Sequence, residues 1–285
     1  MVRLAHHERV FGRAPRSPTI TACVIARDEA ANLAELLPGL RWADEVLVLV
    51  DAATEDDSVA VATPLADRVE LLPFVSFPVQ RNAALALASG SWIFFVDADE
   101  RVSQALADEV RAAVGTSERA LAQSEEGAPV GYWVPRHNII FGRLIRGGGW
   151  APDYQLRLLR RGYAQYDESQ PVHEIVTLDG PDGYLSERLL HLNYRTFGQF
   201  AAKQRRYTAM EAEALRAQGA RYRARALVGQ PLREFWRRYV GLGGWKDGPV
   251  GLYLSLAMAY YAFRRVELTR RDQELGSGVR RHSGS

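Results

Sequence analysis

Residues Trp92–Glu100 read WIFFVDADE, a run of five apolar residues that ends in closely spaced acids. The apolar run predicts a buried strand, and the acids follow where that strand leaves the core. Because residues i and i+2 of an extended chain point to the same side, Asp97 and Asp99 can converge at the strand end. Two carboxylates held close repel each other unless a cation lies between them, and a hard divalent ion that bridges to a diphosphate meets that need. The alternative is a strand that ends in polar residues and caps the next helix.

Short apolar strands alternate with helical segments over the first 114 residues. This alternation predicts a parallel sheet with helices on both faces. The predicted strands cover 19–26, 45–50, 69–72 and 91–96, and the predicted helices cover 30–40, 54–62, 79–88 and 103–114. Residues 115–131 are rich in Ser, Glu and Gly and predict a loop, and further strands are predicted at 132–134 and 155–159.

Acidic residues stand at or just beyond the carboxyl ends of three of the four strands. Ligands of parallel α/β sheets bind at that edge, whereas core packing does not require acids there. The clustering therefore predicts a binding site, formed by Asp28, Glu29, Asp51, Asp97 and Asp99.

The composition sets bounds on the chemistry. The chain has 285 residues, of which 47% are hydrophobic and 25% charged, as is ordinary for a globular protein. Cys23 is the only cysteine, which excludes an intrachain disulfide and a cysteine-based zinc site. Residues 1–18 lack the apolar segment of a signal peptide, so we expect a cytoplasmic protein.

Four motifs follow one another at characteristic spacing, and together they resemble the nucleotide-sugar half of glycosyltransferase family 2. They are VIARDE at 24–29, VDAATEDDS at 50–58, QRN at 80–82 and VDAD at 96–99. WAPDYQLRL at 150–158 and VHE at 172–174 are similar to segments of bacterial lipopolysaccharide-core glucosyltransferases and related envelope enzymes. The resemblance covers about residues 19–265 and implies a GT-A type, Rossmann-like α/β fold. We expect a mostly parallel sheet flanked by helices, with a basic helical C-terminal extension.

The resemblance implies which residues contact the donor, a nucleotide-sugar that we expect to be UDP-linked. Asp51 would accept hydrogen bonds from the base, and Asp97 would touch the ribose or the ion. Arg81 would approach the base or the phosphates, and Arg157 could offset the charge of the diphosphate. The full donor-contacting set is Ala26, Asp28, Glu29, Asp51, Arg81, Asp97, Ala98 and Arg157.

The resemblance also implies a DXD-type metal site in which Asp99 binds the ion directly. His173 is the expected further protein ligand, and His191 competes for that role. Among the possible ions, an imidazole beside a carboxylate favours Mn²⁺ over Mg²⁺. Asp153 matches the position of the family's catalytic base, with Glu174 as its rival.

Two departures from the family pattern stand in the donor segments. Ala52 and Ala53 replace the usual Ser or Gly, and Asp28 replaces the usual Asn. The Asp28 carboxylate adds a negative charge near the expected base pocket. This departure affects the prediction of which nucleotide-sugar is the donor more than the prediction of the fold.

The C-terminal third is basic, with eleven Lys or Arg against three Glu between Arg195 and Gly241. The run Pro249–Phe263 carries no charge over fifteen residues. As a helix it would cover only ~22 Å, less than the roughly 30 Å hydrocarbon core of a bilayer. We therefore expect an interfacial helix on an anionic membrane. The alternative is a helix packed on the catalytic domain.

These features predict a disordered tail over 1–18, a catalytic domain over 19–195, a helical membrane-associating or acceptor region over 196–268, and a second tail over 269–285. Within the catalytic domain, the nucleotide-sugar half covers 19–102 and the acceptor half covers 130–195.

The predicted activity is metal-dependent, inverting transfer of a hexose to a saccharide or lipid-linked acceptor in cell-envelope biosynthesis. The enzyme would work at the inner face of the plasma membrane, without a nucleic-acid partner. One alternative is a sugar nucleotidyltransferase, but Ala26–Glu29 lacks the Gly-rich basic loop of that class. The other is a nucleic-acid-binding protein, which leaves the acid cluster unexplained.

Overall fold

The computed structural model describes residues 17–169 and 176–279. Their contacts define two compact units that alternate along the chain. The first contains the described residues of 17–98, 104–133 and 156–185, and the second contains 99–103, 134–155 and 186–279. The predicted domains, in contrast, are consecutive segments that meet at residue 195.

Four parallel strands form the centre of the first unit. They lie in the order β3-β2-β1-β4 and comprise β1 (Ile20–Ala26), β2 (Glu45–Asp51), β3 (Arg68–Leu72) and β4 (Trp92–Asp97). Val24 of β1 pairs with Val48 on one side and Val96 on the other, so the carboxyl ends of three strands meet at one edge. The five apolar residues of β4 are fully buried, as predicted.

Additional strands complete the first unit. β8 (Tyr154–Arg160) runs antiparallel to β4, and β6 (Gly131–Ile140) follows beside it with β11 (Asp182–Tyr184) on its other side. β9 (Ala164–Tyr166) and β10 (Val176–Leu178) form a separate antiparallel ribbon.

The helices of the first unit are α1 (Ala30–Leu36), α2 (Ser58–Ala62), α3 (Phe77–Leu87) and α4 (Gln104–Ala122). α4 continues to Ala122, past the end predicted at Val114. The extension is held because Ser117 is fully buried and its hydroxyl shares a 2.7 Å hydrogen bond with the Tyr132 hydroxyl.

The second unit combines a small sheet with three helices. β12 (Leu189–Tyr194) runs parallel to the C-terminal part of β6 and antiparallel to β5 (Glu100–Arg101), and β7 (Arg143–Leu144) forms a hairpin with β6. The helices are α5 (Phe197–Ala217), α6 (Ala226–Trp236) and α7 (Gly248–Val279). Tyr194, Phe200 and Tyr261 pack in the core of this unit.

α7 contains the uncharged run Pro249–Phe263 and continues past residue 268, where the predicted helical region ended. Thr269 is fully buried and its hydroxyl donates to the Arg265 carbonyl, which accounts for part of the extension. Within the described part of the chain, none of the helices has the length and apolar character required to cross a membrane. The predicted α/β class, the mostly parallel sheet and the helical C-terminal region are confirmed.

Candidate functional site

Asp51 ends β2 at the edge of the first unit's sheet and is 5% exposed. Its Oδ1 accepts hydrogen bonds from the amides of Ala53 at 3.0 Å and Phe74 at 3.2 Å, and its Oδ2 lies 3.1 Å from Arg27 Nη1. The Ala53 bond, with help from Phe74 and Arg27, outweighs desolvation and lowers the pKa of the Asp51 carboxyl. Asp51 is therefore a fixed carboxylate at the strand end.

Arg27 connects two of the predicted donor residues, although sequence reasoning did not single it out. Besides Asp51 it approaches Asp28, with Nε 3.7 Å from Oδ2. Asp28 has a left-handed backbone with φ of 53°, and its Oδ1 accepts from the Glu55 amide at 2.7 Å. The extra carboxylate noted in the sequence thus stands beside a guanidinium, which offsets its charge.

Asp97, at the end of β4, is held by two buried arginines. Arg81 Nη2 lies 2.9 Å from Asp97 Oδ1, and Arg157 donates to both carboxylate oxygens, with a 3.0 Å bond to Oδ1. Arg81 and Arg157 are 3% and 5% exposed, and Arg81 also lies over the Phe95 ring at 4.7 Å. Both predicted donor-contacting arginines therefore bind Asp97, so this carboxylate positions them at the strand end.

Asp99 belongs to the second unit, where it pairs with His191. The His191 Nε2 atom lies 3.3 Å from Asp99 Oδ2, and the His191 side chain is 10% exposed against 28% for Asp99. The register of β12 against β6 places His191 beside Asn138, and Leu192 of β12 donates its amide to the Asp99 carbonyl at 2.8 Å. The backbone pairing of the strands therefore holds His191 and Asp99 next to each other.

Asn138 determines which nitrogen of His191 carries a proton. Its Nδ2 donates to the Trp150 carbonyl at 2.7 Å and to Asp153 Oδ2 at 2.9 Å, so its Oδ1 must be the atom that faces His191. That oxygen lies 2.7 Å from His191 Nδ1 and can only accept, so Nδ1 carries the hydrogen. The neutral ring then presents the lone pair of Nε2 to the Asp99 carboxylate.

A lone pair and a carboxylate oxygen at this distance repel each other, and a cation between them would remove that repulsion. Adjacent ligand atoms of an octahedral ion, each about 2.1 Å from the metal, lie about 3 Å apart. The 3.3 Å separation of Nε2 and Oδ2 fits that geometry, so the pair can supply two ligands to an ion.

Within the described residues, no group of three or more His, Cys, Asp or Glu side chains could hold a metal ion. Among the described residues, Asp99 and His191 are therefore the protein ligands on offer, and water or a donor diphosphate could supply further ligands to an ion held there. Such a shell of two protein ligands plus phosphate oxygens is common for ions that bind with phosphorylated substrates.

Asp153 lies on the other side of Asn138 in the same unit. Its Oδ2 also accepts from Arg136, whose Nη2 lies at 2.8 Å, and its Oδ1 accepts from Gln155 at 2.9 Å. Burial acts to raise the pKa of Asp153, but Arg136 and the bonds from Asn138 and Gln155 outweigh it and hold the pKa below its ordinary value. The side chain is 19% exposed, so an ionised carboxylate remains accessible.

The remaining predicted site residues that the structure describes take no part in the contacts around Asp51, Asp97, Asp99 and Asp153 given above. Ala26 and Ala98 are buried, at 4% and 5% exposure, and Glu29 accepts from Asn32 at 2.6 Å. His173 and Glu174 lie outside the described residues, so their predicted roles stay predictions. His191, the other candidate histidine, lies in the described part of the chain, beside Asp99.

Sequence reasoning missed Asn138, Arg136 and Glu100. Arg136 joins Asp153 to Glu100, which is fully buried and 3.1 Å from Arg136 Nη1. A signal was present, because Arg136 and Asn138 are two residues apart in a strand and so project to the same face. Two polar residues on one face of an otherwise apolar strand indicate a buried polar network.

Both a family profile and a curated relative identify glycosyltransferases as the proteins that this chain is similar to. The family profile described as Glycosyl transferase family 2 matches residues 21–124. The lipopolysaccharide core biosynthesis glycosyltransferase LpsC of Rhizobium meliloti (strain 1021) is 30% identical over 260 residues, which are 87% of this chain and 90% of the relative.

Two solved structures are similar at low sequence identity. S. aureus TarS 1–349 in complex with UDP-GlcNAc has a TM-score of 0.45 and 12% identity, and the match covers 88% of this chain and 83% of that one. The mannosyltransferase PcManGT from Pyrobaculum calidifontis in complex with GDP-Man and Mn²⁺ has a TM-score of 0.44 and 16% identity, with 93% and 80% covered.

Replacing Asn138 with Leu should weaken Mn²⁺ binding about 10–100-fold, the usual cost of losing the group that orients a histidine ligand. Without an acceptor at Nδ1, the ring is free to place its hydrogen on Nε2, which blocks the metal-facing atom. Electron paramagnetic resonance titration of Mn²⁺ measures the affinity.

Asn82→Leu is the matched control, because Asn82 makes similar bonds to Tyr166 in the first unit. Equal Mn²⁺ affinity of folded Asn138→Leu and wild-type protein would contradict the role of Asn138.

Proposed function

Because this chain belongs to glycosyl transferase family 2, we propose that it transfers a hexose from a nucleotide-sugar to a cell-envelope saccharide with the help of a divalent ion held by Asp99 and His191. Family membership supports sugar transfer as the reaction. The observation that carries the metal is the Nε2 lone pair that Asn138 directs at the Asp99 carboxylate. An imidazole and a carboxylate together favour Mn²⁺ over Mg²⁺.

When bound, the ion stabilises the negative charge that develops on the departing nucleoside diphosphate. The chain's own part is to hold the two ligand atoms in place before the donor arrives. Asn138 fixes the ring of His191, and the strand pairing of β12 fixes its backbone. The ligands then need little reorganisation when the ion and the diphosphate bind.

The strand-end residues of the first unit would bind the nucleoside. Asp51 is an ionised carboxylate with restricted geometry, suited to accept from the N–H groups of a base. Arg27 lies beside it and reaches Asp28, so the Asp28 carboxylate need not repel the donor. A uracil, which presents an imide N–H, fits an acceptor of this kind.

Asp153 would act as the base that removes the proton of the acceptor hydroxyl. Its pKa is held below the ordinary value of an aspartate, so it is ionised at neutral pH, and only an ionised carboxylate can accept the proton. Arg136 and Asn138 donate to Oδ2, while Oδ1 accepts from Gln155 and offers a further lone pair to the acceptor. A base placed opposite the leaving diphosphate gives inversion at the anomeric carbon.

The acceptor class is supported by the relative that matches almost the whole chain. That protein is named for lipopolysaccharide core biosynthesis. A lipid-linked acceptor is presented at a membrane, which makes a surface contact useful.

An exposed apolar stripe on the second unit supports such a contact. Val228, Leu232, Trp236 and Val240 recur every fourth residue along α6 and the turn that follows, with exposures of 64%, 64%, 66% and 43%. Arginines flank the stripe at exposed positions, namely Arg225, Arg233 and Arg237. A basic amphipathic helix of this kind suits the interface of an anionic bilayer, with the arginines at the headgroups.

Asp99→Ala should abolish metal-dependent nucleotide binding, because it removes one of the two protein ligands. Calorimetry of UDP binding in the presence and absence of Mn²⁺ measures the effect. Asp108→Ala, on the exposed side of α4, is the control and should bind as the wild type does. Unchanged Mn²⁺-dependent binding by Asp99→Ala would refute the metal site.

Asp153→Asn should retain donor binding and lose transfer, because an amide cannot accept the proton. UDP affinity and single-turnover sugar transfer are measured on the same preparation, and a thermal melt verifies that the variant folds. A variant with wild-type turnover would exclude Asp153 as the base and move that role to Glu174.

Trp236→Ser with Leu232→Ser should weaken binding to vesicles that contain an anionic phospholipid, because the change removes apolar area from the stripe. Co-sedimentation measures the bound fraction. Val75→Ser, at a 70% exposed position of the first unit, is the control. Retained vesicle binding, or a stripe that instead mediates a dimer in analytical ultracentrifugation, would contradict the membrane contact.

A further inference from the structure

A cavity in the second unit opens beside the candidate base. Its volume is about 360 Å³, which falls in the range of roughly 300–1,000 Å³ typical of small-ligand sites. Asp153 forms part of the wall, together with Tyr154 and residues of β6, the β6–β7 hairpin and the segment before β12. The charged or titratable side chains of the lining are Arg136, His137, Arg146, Asp153, Tyr154 and Arg188.

The positive charge of this cavity is only partly compensated. Arg136 is paired, with Glu100 at 3.1 Å and Asp153 at 2.8 Å. In contrast, the side chains of Arg146 and Arg188 make no hydrogen bond or ion pair with any residue in the described part of the chain. Two guanidinium groups thus remain available at the cavity, and its one carboxylate already has a cationic partner.

The positive charge of Arg146 and Arg188 also affects the pKa of His137. Burial lowers the pKa of His137, and Arg188 and Arg146 lower it further. All three side chains line the same cavity, so the two guanidinium groups and the ring surround one volume. An anion in that volume would relieve the repulsion.

We propose that this cavity binds an acidic group of the acceptor saccharide, a carboxylate or a phosphate, through Arg146 and Arg188. Guanidinium groups suit both anions because their planar donors match two oxygens at once. An acceptor anchored in this way would present a neighbouring hydroxyl to Asp153, which lines the same cavity. The inference rests on the proposed function, since Asp153 is the base only if the protein transfers sugar.

The donor diphosphate is the other anion in the reaction. In the proposed function its charge is met by the ion at Asp99 and His191, neither of which lines this cavity. Asp153 must contact the acceptor in order to take its proton, and therefore the cavity beside it belongs to the acceptor.

The test measures binding of three probe sugars to the full chain saturated with UDP and Mn²⁺. The probes are methyl glucuronide for the carboxylate, glucose 6-phosphate for the phosphate and methyl glucoside as the neutral reference. We expect at least one acidic probe to bind about ten-fold more tightly than the neutral one, as one charge-assisted contact provides. The acidic probe that gains affinity identifies the group.

Arg146→Gln and Arg188→Gln should each remove most of that gain and leave UDP affinity unchanged. Arg143→Gln is the matched control, because Arg143 is exposed on the same hairpin but does not line the cavity. All three positions are exposed, so the variants should fold, and a thermal melt verifies it.

Equal binding of acidic and neutral probes by the wild type would overturn the inference. So would an equal loss in Arg143→Gln, which would indicate a general surface field, or a loss of UDP affinity in the other two variants, which would assign the cavity to the donor. A wild-type protein that binds no UDP with Mn²⁺ would instead refute the proposed function.

Discussion

The hydrogen bond between His191 Nδ1 and Asn138 Oδ1 is the interaction on which the second unit's chemistry depends. Because the other end of the Asn138 amide donates to Trp150 and Asp153, the amide cannot turn over without losing both bonds. His191 therefore holds its hydrogen on Nδ1 and aims Nε2 at Asp99. One buried amide thus orients the candidate metal ligand and at the same time donates to the candidate base, so the two are positioned together.

Charge compensation follows a common pattern in both units. Two strand-end carboxylates of the first unit are met by arginine, Asp51 by Arg27, and Asp97 by Arg81 and Arg157. In the second unit Arg136 meets Asp153 and the buried Glu100. Arg81, Arg157 and Glu100 are buried, and an unpaired buried charge costs several kcal/mol, so the pairing of these three groups contributes to stability as well as to geometry. Asp99 differs from these carboxylates, because its partner is His191 and not an arginine, and an added cation would be favourable there.

Much of this arrangement could be predicted from the sequence. Apolar runs that end in acids located the strands and their carboxyl edge, and the motifs around Asp97 and Asp99 indicated the family, so the GT-A type fold and the glycosyltransferase class are confirmed. The contacts of Asn138 could not be predicted, because its partner His191 lies 53 residues away and strand pairing alone brings them together. The same limit applies to Arg27, which reads as an ordinary surface residue until two strand ends meet beside it.

Anomalous diffraction at the manganese edge, from crystals grown with UDP and Mn²⁺, shows directly whether Asp99 and His191 bind the ion. If Asp99 and His191 hold the ion, the anomalous peak lies between Asp99 Oδ2 and His191 Nε2, about 2.1–2.2 Å from each atom, next to the diphosphate of the nucleotide. A peak elsewhere, or a nucleotide bound with no anomalous signal beside His191, would contradict that assignment.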